Sequence, residues 1–594
     1  MKKQLRLLVM ALCCSIAVAV SAQDKDIPHL QPTKNGPQLI VDGQPFIMLA
    51  GELHNSSTGS SHYMAPIWQR MADKNLNTVI APVCWELIEP QEGQFDFRLV
   101  DDMIEGARKS NLKLVFLWFG SWKNGNSMYV PGWVKKDQKR FPLAKFKDGE
   151  SSNTLSPLGI NAMKADVKAF SELMRHIKAI DGTQHTVITI QLENEIGTLD
   201  QMASYMNTPN RAMRDYSDAA NKAFEGQVPA SLLQYLKAHK NTLQPAIAEV
   251  WNVNGNKMKG TWEEVFGKSL PAKQIDRNDP NLMKDLSWQN EYPWLTEEIF
   301  NAWHYAAYVE QIAAAGKEIY PIPLYVNAWL KQLWAREPGK YPSGGPQPHL
   351  FDIWHAAAPH IDLLGPDLYA TALFDWVLSG YDQPGNPVIM PETISSADGA
   401  ARSFYALGRY NMLCYSPFGI DGGGLMLSAD PNDHSYEQAY GLLKHIVPYI
   451  TKYAGTKQKS GLLLDEDRTS DQIRMGKYNI TARPFSVRSS QAVVGVSVKE
   501  GQKEDANVAG VLVIQTGEDE FLVAGGIGEV VVGFRLANAD KNHHAFFESV
   551  DEIAFTEDGQ ELLHRLNGDE TAFGGPVILK GQVKAFRVKL YEYK

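Results

Sequence analysis

Short apolar runs alternate along residues 45–415 with longer amphipathic stretches, and this alternation constrains the fold more than any other feature of the sequence. Such an alternation is typical of a parallel sheet, whose strands are buried on both faces and joined by helices. The apolar runs are Pro45–Ala50, Thr78–Val83, Lys113–Trp118, Thr186–Leu192, Pro323–Val326, Asp362–Leu364, Val388–Pro391 and Met412–Tyr415. Helical periodicity appears between them at Ala65–Lys74, Arg98–Ser110, Ile160–Ile180, Leu295–Ala315 and Ser403–Tyr410.

Eight such units predict an α/β protein built on a (β/α)8 TIM barrel. A doubly wound sheet is the alternative, but no glycine-rich phosphate turn follows the first strand. The long spacing between the fourth and fifth runs predicts an insertion around residues 200–300, with helical patterns at Met202–Ala223 and Ala230–Lys240. It also contains the aromatic, Asn-rich stretch Val250–Asn254, which we expect to overhang the C-terminal rim of the barrel.

The sequence pattern changes after Tyr436–Ala454, which we predict to be the last barrel helix. Residues 455–461 have the composition of a linker. The runs that follow alternate apolar and polar residues between Gly and Asp turns, which is typical of a β-sandwich. These runs are Ala492–Val498, Gly510–Gln515, Glu529–Phe534 and Lys584–Tyr591. We therefore predict a barrel domain over residues 23–454 and a C-terminal β-sandwich domain over residues 455–594.

The first 22 residues have the basic start, the apolar run and the small-residue step of a secretory signal peptide. We expect the mature chain to begin near Gln23 and to be periplasmic or extracellular. A lipid anchor at Cys13 or Cys14 is the alternative, although Leu12 stands where a lipoprotein signal has a small residue. No other apolar run is long enough to span a bilayer, so we expect no transmembrane segment in the mature chain.

Charge and cysteine content exclude several classes of function. The chain has 58 Lys and Arg residues against 68 Asp and Glu, a net charge of −10, with no long basic run, so we expect no nucleic-acid partner. Beyond the signal only Cys84 and Cys414 remain, which cannot form a disulfide framework and do not have zinc-site spacing. Phosphate-loop, metalloprotease, calcium-loop and serine-hydrolase motifs are also absent from the sequence, so we expect neither a metal nor a cofactor.

Carboxylates follow several of the predicted strands, at the barrel edge where reacting groups lie. They are Glu52 after strand one, Glu86 after strand two, Glu193 and Glu195 after strand four, and Glu392 after strand seven. A carboxylate placed there is costly unless water, a cation or a substrate meets it. Glycoside hydrolysis needs a facing pair, since one carboxyl protonates the leaving oxygen while the other attacks the anomeric carbon or activates water. A helix N-cap or a structural ion pair is the alternative for any single residue.

Periodicity leaves two further choices open. Strand alternation places Glu193 and Glu195 on one face, so it does not show which of the two is the acid. Four Trp residues end or follow strands, where an exposed indole stacks on a sugar ring, and a core position is the alternative for each. They are Trp85, Trp118, Trp122 and Trp329.

Three segments, Gln191–Gly197, Trp85–Phe97 and Gly51–His54, resemble glycoside hydrolase family 35, the β-galactosidases of a retaining (β/α)8 clan. The resemblance covers about residues 36–440, and the C-terminal segment is similar to an uncharacterised β-domain of one bacterial group in that family. It implies Glu195 as acid/base and Glu392 as nucleophile. The further residues expected to bind the sugar are Asn194 at the 2-hydroxyl, Tyr369 on the nucleophile, Glu52, His54, Trp85, Glu86 and Trp329.

The sequence departs from the family pattern at three positions near the expected sugar site. Glu86 stands where most members have Asn, and Asn55 stands where a Tyr commonly follows the strand-one His. Strand three ends in Phe119–Trp122, where the family has an Ala-Glu pair that grips the galactose hydroxyls. These changes leave open which sugar occupies subsite −1, the position of the terminal residue.

Together with the signal-peptide pattern, the resemblance implies an exported, retaining exo-β-galactosidase that releases terminal galactose from plant polysaccharide side chains such as those of xyloglucan. One alternative is a retaining β-glycosidase of the same clan that acts on β-glucosides or arabinopyranosides. Another is a surface glycan-binding protein with a degenerate barrel, although binding alone does not need two opposed carboxylates.

Overall fold

The computed structural model describes residues 27–199, 213–268, 296–331, 338–422, 424, 428–485, 507–539, 543–556, 559–566 and 568–594. Three sequence predictions lie outside these residues: the signal peptide at 1–22, the strand at 492–498 and the first half of the helical pattern at 202–223. Among the described residues, no helix combines the length and the apolarity that crossing a membrane requires.

Eight parallel strands close into a barrel in the order β10-β11-β12-β13-β4-β5-β6-β9. The strands of this part of the chain are β1 (His29–Gln31), β2 (Gln38–Val41), β3 (Gln44–Pro45), β4 (Met48–Glu52), β5 (Thr78–Cys84), β6 (Lys113–Lys123), β7 (Leu143–Lys145), β8 (Ser151–Leu155), β9 (Val187–Asn194), β10 (Leu324–Trp329), β11 (Leu363–Leu368), β12 (Val388–Thr393) and β13 (Met412–Pro417). Each of the eight apolar runs contributes one barrel strand, which confirms the predicted fold class.

Amphipathic helices surround the barrel and bury one face against it. In Arg98–Lys109, for example, the buried residues Val100, Met103, Ile104 and Ala107 recur at helical spacing. The helices are α1 (Ser61–Asp73), α2 (Trp85–Ile88), α3 (Arg98–Lys109), α4 (Gly132–Lys136), α5 (Ile160–Asp181), α6 (Asp218–Phe224), α7 (Ala230–Ala238), α8 (Pro245–Val253), α9 (Trp262–Phe266), α10 (Thr296–Ile319), α11 (Phe351–Ala357), α12 (Phe374–Tyr381), α13 (Ala397–Arg409) and α14 (Ser435–Lys452).

The described part of the insertion after β9 consists of the short helices α6 to α9. Its Trp251 is buried, and the indole N–H donates to the carbonyl of Lys257 at 3.1 Å. This aromatic side chain therefore packs within the insertion.

Two antiparallel sheets follow the barrel, with strand orders β14-β17-β18-β23-β20-β21 and β15-β16-β19-β22. Their strands are β14 (Lys459–Leu464), β15 (Asp471–Met475), β16 (Tyr478–Arg483), β17 (Ala509–Gln515), β18 (Glu520–Ile527), β19 (Val530–Leu536), β20 (His544–Thr556), β21 (Gly559–Arg565), β22 (Val577–Ile578) and β23 (Val583–Tyr593). Leu462 and Val511 of the first sheet share a core with Ile480 and Val532 of the second. The two sheets form the predicted sandwich.

The sandwich also packs directly on the barrel. Leu512 of β17 lies in the same apolar core as Phe404 of α13. The predicted linker is wrong in its last residues, because β14 begins at Lys459, whose buried ammonium donates to the carbonyl of Leu407 at 2.6 Å. Gly461 permits this close contact, since a Cβ there would lie 2.4 Å from the Tyr405 carbonyl oxygen.

Candidate active site

The chain changes direction at the end of β9 through residues in the left-handed region of backbone space. Glu193 has a φ of 59° and Glu195 a φ of 47°, followed by Gly197 at 109°. This conformation costs a non-glycine residue about 1–3 kcal/mol and persists only where the surroundings impose it. It breaks strand alternation, so the expectation that Glu193 and Glu195 share one face is wrong.

Glu193 faces the end of the neighbouring strand and the helix outside it. Its two carboxylate oxygens accept the backbone N–H groups of Ser121 at 3.0 Å and Trp122 at 2.7 Å. Burial and the nearby charge of Asp166 on α5 hold the pKa of Glu193 well above its usual range. The contacts of Glu193 thus join β9 to the end of β6.

Glu195 lies instead beside Asp367 and Glu392, and one carboxylate oxygen from each of the three lies within 4.8 Å of the others. All three residues are buried. Burial, with the negative charge of Glu392 as the next cause, raises the pKa of Glu195 to about 8. The same two causes hold the pKa of Asp367 well above its usual range.

Three side chains donate hydrogen bonds to Glu392. Tyr369 Oη donates to Oε2 at 2.7 Å, while Asn194 Nδ2 donates to Oε1 at 3.1 Å and Asn327 Nδ2 to the same oxygen at 3.5 Å. Asn327 also accepts the backbone N–H of Glu195 at 3.0 Å. One amide therefore links the two glutamates, and the carboxylate of Glu392 is held in a single orientation.

Two further residues expected to bind the sugar, Glu52 and His54, stand at and just after the end of β4. Glu52 is fully buried, and neither of its carboxylate oxygens has a hydrogen-bond partner in the described structure. Burial and the charge of Glu392 hold the pKa of Glu52 well above its usual range. His54 is half-buried, its Nε2 lies 2.8 Å from Ser428 Oγ, and its ring meets Phe418 edge-on.

Trp85, which was expected to bind the sugar, lies in the core instead. Trp85 is fully buried, because it begins α2 and its indole N–H donates to Glu89 four residues later, at 2.7 Å. It packs edge-on against Trp133, with ring centroids 5.9 Å apart. The core alternative holds for this residue, and no sugar ring has access to it.

Trp329 and Glu86, two further residues expected to bind the sugar, are covered or paired with another side chain. Trp329 is 3% exposed and packs with Tyr341, so its indole is covered. Glu86 is half-exposed, and its carboxylate pairs with the Lys135 ammonium at 2.9 Å. Trp118 and Trp122 are buried as well.

Comparison with known proteins agrees with this geometry. Residues 38–320 match glycosyl hydrolases family 35, and residues 436–577 match a domain of unknown function, DUF5597. The family 35 match thus covers the barrel domain from β2 through α10. The resemblance expected from the sequence is thereby confirmed.

Two sequence relatives and one solved structure can be compared with this chain. A protein from Xanthomonas manihotis called beta-galactosidase is 27% identical over 216 residues, which are 35% of this chain and 32% of that protein. Beta-galactosidase 14 of Arabidopsis thaliana is 23% identical over 144 residues, 23% of this chain and 16% of that protein. The chain thus spans a third or less of these relatives. The crystal structure of beta-galactosidase from Bacillus circulans sp. alkalophilus has 11% identity and a TM-score of 0.47, covering 91% of this chain and 99% of that one.

The sequence analysis missed three polar residues of the site around Glu195 and Glu392. They are Lys123, Asp367 and Asn327. Lys123 is 6% exposed, and its ammonium donates to Asn194 Oδ1 at 2.5 Å. Asp367 stands near the end of β11, so the rule that reacting groups follow barrel strands could have found it. Lys123 gave no such signal, because the apolar run of its strand stops at Trp118.

Proposed function

We propose that this chain is a retaining exo-β-galactosidase that removes terminal galactose from plant polysaccharide or oligosaccharide side chains, such as those of xyloglucan. The observation that carries the proposal is the buried pair of Glu195 and Glu392, whose carboxylate oxygens lie within 4.8 Å of each other. The match of residues 38–320 to family 35 and the names of the two sequence relatives support it.

The spacing of the two carboxylates favours retention. Retaining glycosidases have carboxyl groups about 5–5.5 Å apart, whereas inverting enzymes leave about 6.5–9.5 Å for a water molecule. In the proposed reaction, Glu392 attacks the anomeric carbon while Glu195 protonates the departing oxygen. The hydrogen bonds from Tyr369 and Asn194 point the attacking carboxylate in one direction.

The charge of Glu392 explains how Glu195 serves both half-reactions. With its pKa raised to about 8, Glu195 is protonated at neutral pH and able to act as an acid. Formation of the glycosyl ester removes the negative charge of Glu392, so the pKa of Glu195 falls. Glu195 then deprotonates the water that releases the sugar.

This assignment predicts the alkaline limb of the pH profile. The free-enzyme kcat/KM for a poor leaving group should fall with an apparent pKa of about 8, since only protonated Glu195 donates. A dinitrophenyl galactoside needs no proton, so its kcat/KM should keep much of its value above that pH. Rates measured between pH 5 and 10 for both substrates check this. The same limb for both would contradict a role of Glu195 as the acid.

Hydrolysis is also expected to need no metal ion, because the sequence contains no metal-ligand motif. The expectation needs a test, since the carboxylates of Glu195, Asp367 and Glu392 are close enough together to hold a divalent cation. Dialysis against a chelator should leave kcat/KM unchanged. Activity lost on dialysis and restored by calcium or zinc would overturn the expectation.

A panel of substrates tests the function itself. Aryl β-galactoside, β-glucoside and arabinopyranoside, with xyloglucan oligosaccharides, are assayed with the wild type and with Glu392→Ala. The proposal expects the galactosides to be cleaved fastest, and only by the wild type. Faster cleavage of another sugar would favour the clan alternative, and binding without cleavage by the wild type would favour a glycan-binding protein.

Export of the mature chain is part of the same proposal, because a polysaccharide substrate lies outside the cell and residues 1–22 have a signal-peptide pattern. The N-terminal sequence of the secreted protein should begin near Gln23. A lipid-modified Cys13 or Cys14 would instead indicate a lipoprotein.

A further inference from the structure

We propose that Lys123 recognises a hydroxyl group of the terminal sugar. The inference rests on the proposed function and names the residue that sets its sugar preference. Lys123 ends β6, the third barrel strand.

The backbone around Lys123 is fixed at the mouth of the barrel. The N–H of Lys123 donates to the carbonyl of Asn126 at 2.7 Å, and Asn126 donates back at 2.9 Å. The next residue, Asn124, donates its N–H to the carbonyl of Asn194 at 3.0 Å. The backbone of Lys123 is therefore held beside that of Asn194 by the fold.

The hydrogen bonds of the Lys123 ammonium are incomplete. An ammonium has three N–H donors, and in the described structure one of them is used, on Asn194 Oδ1 at 2.5 Å. No carboxylate among the described residues lies within ion-pair distance of it, and its other neighbour is the Phe119 ring at 5.3 Å. Because Lys123 is 6% exposed, its remaining donors lie in a buried space and can be met by acceptors on a ligand.

Asn194 connects Lys123 to the catalytic cluster, since it accepts from the ammonium at 2.5 Å and donates to Glu392 at 3.1 Å. Glu52, at the end of β4 in the same barrel, supplies a complementary group, because both of its oxygens are buried without hydrogen-bond partners in the described structure. A sugar hydroxyl accepts and donates at once, which suits a site with unused ammonium donors and unused carboxyl oxygens. A charged sugar acid fits poorly, since the catalytic cluster is already rich in carboxylates. The ligand class is a neutral pyranose.

Monodeoxy substrates separate recognition from a structural effect. Lys123→Met keeps the aliphatic stem and removes the donors, so kcat/KM for an aryl galactoside should fall about 10- to 100-fold. One analogue of the 2-, 3-, 4- and 6-deoxy series lacks the hydroxyl that Lys123 recognises. On that analogue, kcat/KM of the variant should differ from the wild-type value by about twofold or less. The matched control is Lys109→Met on the exposed end of α3, which should match the wild type throughout.

Equal losses on all four analogues would overturn the inference, because a purely structural defect does not depend on which hydroxyl is present. Should the Met variant fail to fold, Lys123→Gln retains an N–H donor and is expected to show a smaller loss that vanishes on the same analogue. A wild type that cleaves none of the glycosides would refute the proposed function itself. An active wild type with uniform losses would refute only the role of Lys123.

Discussion

Glu392→Ala is expected to lose hydrolysis of aryl β-galactosides by on the order of 10⁴-fold or more, because the variant has no group to attack the anomeric carbon. Sodium azide should restore turnover, since the small anion fits the space that the carboxylate vacates. It attacks from the same side as Glu392, so the product should be the α-glycosyl azide. Rates with and without azide, and NMR of the azide product, check both points.

The control for this variant is Glu105→Ala, which removes an exposed carboxylate that pairs with Lys109 on the outside of α3. It should retain wild-type activity and show no response to azide. A β-glycosyl azide from Glu392→Ala would remove Glu392 from the role of nucleophile.

Glu195→Ala is expected to show an effect that depends on the leaving group. For phenyl galactosides and natural oligosaccharides, which need protonation, kcat/KM should fall by about 10²- to 10⁴-fold. For dinitrophenyl galactoside, cleavage of the first bond needs no proton, so much of the rate should remain. A plot of log kcat/KM against leaving-group pKa, for the variant and the wild type, measures the difference.

The matched variant is Glu193→Gln, two residues away. Glu193 accepts the backbone N–H groups of Ser121 and Trp122 and does not lie in the cluster around Glu392. Its loss should therefore lower the free energy of unfolding and reduce all rates by a similar factor. If Glu193→Gln showed the steep dependence on leaving group and Glu195→Ala did not, the assignment of the acid would be wrong.

The barrel was predictable because its strands are buried on both faces, so each reads as a short apolar run between amphipathic helices. The positions of Glu195, Glu392 and Tyr369 followed from the rule that reacting groups stand at strand ends, together with the family resemblance. Tyr369 donates to Glu392 as that resemblance implied.

What the sequence did not predict depends on local backbone geometry. The left-handed conformations of Glu193 and Glu195 separate two side chains that simple alternation places together. The pairing of β6 with β9 is irregular between Trp118 and Lys123, so the strand continues past its apolar run and carries a lysine into the site. The helical turn at Trp85 directs its indole into the core, whereas its position after a strand had left a contact with the sugar open.

The anomeric configuration of the first-formed sugar tests the central claim most directly. Proton NMR of an aryl β-galactoside during the first minutes of hydrolysis distinguishes the two anomers before mutarotation mixes them. The double displacement by Glu392 and Glu195 predicts that β-galactose appears first and the α-anomer only later. The α-anomer as the first product would contradict retention, and with it the covalent intermediate on Glu392.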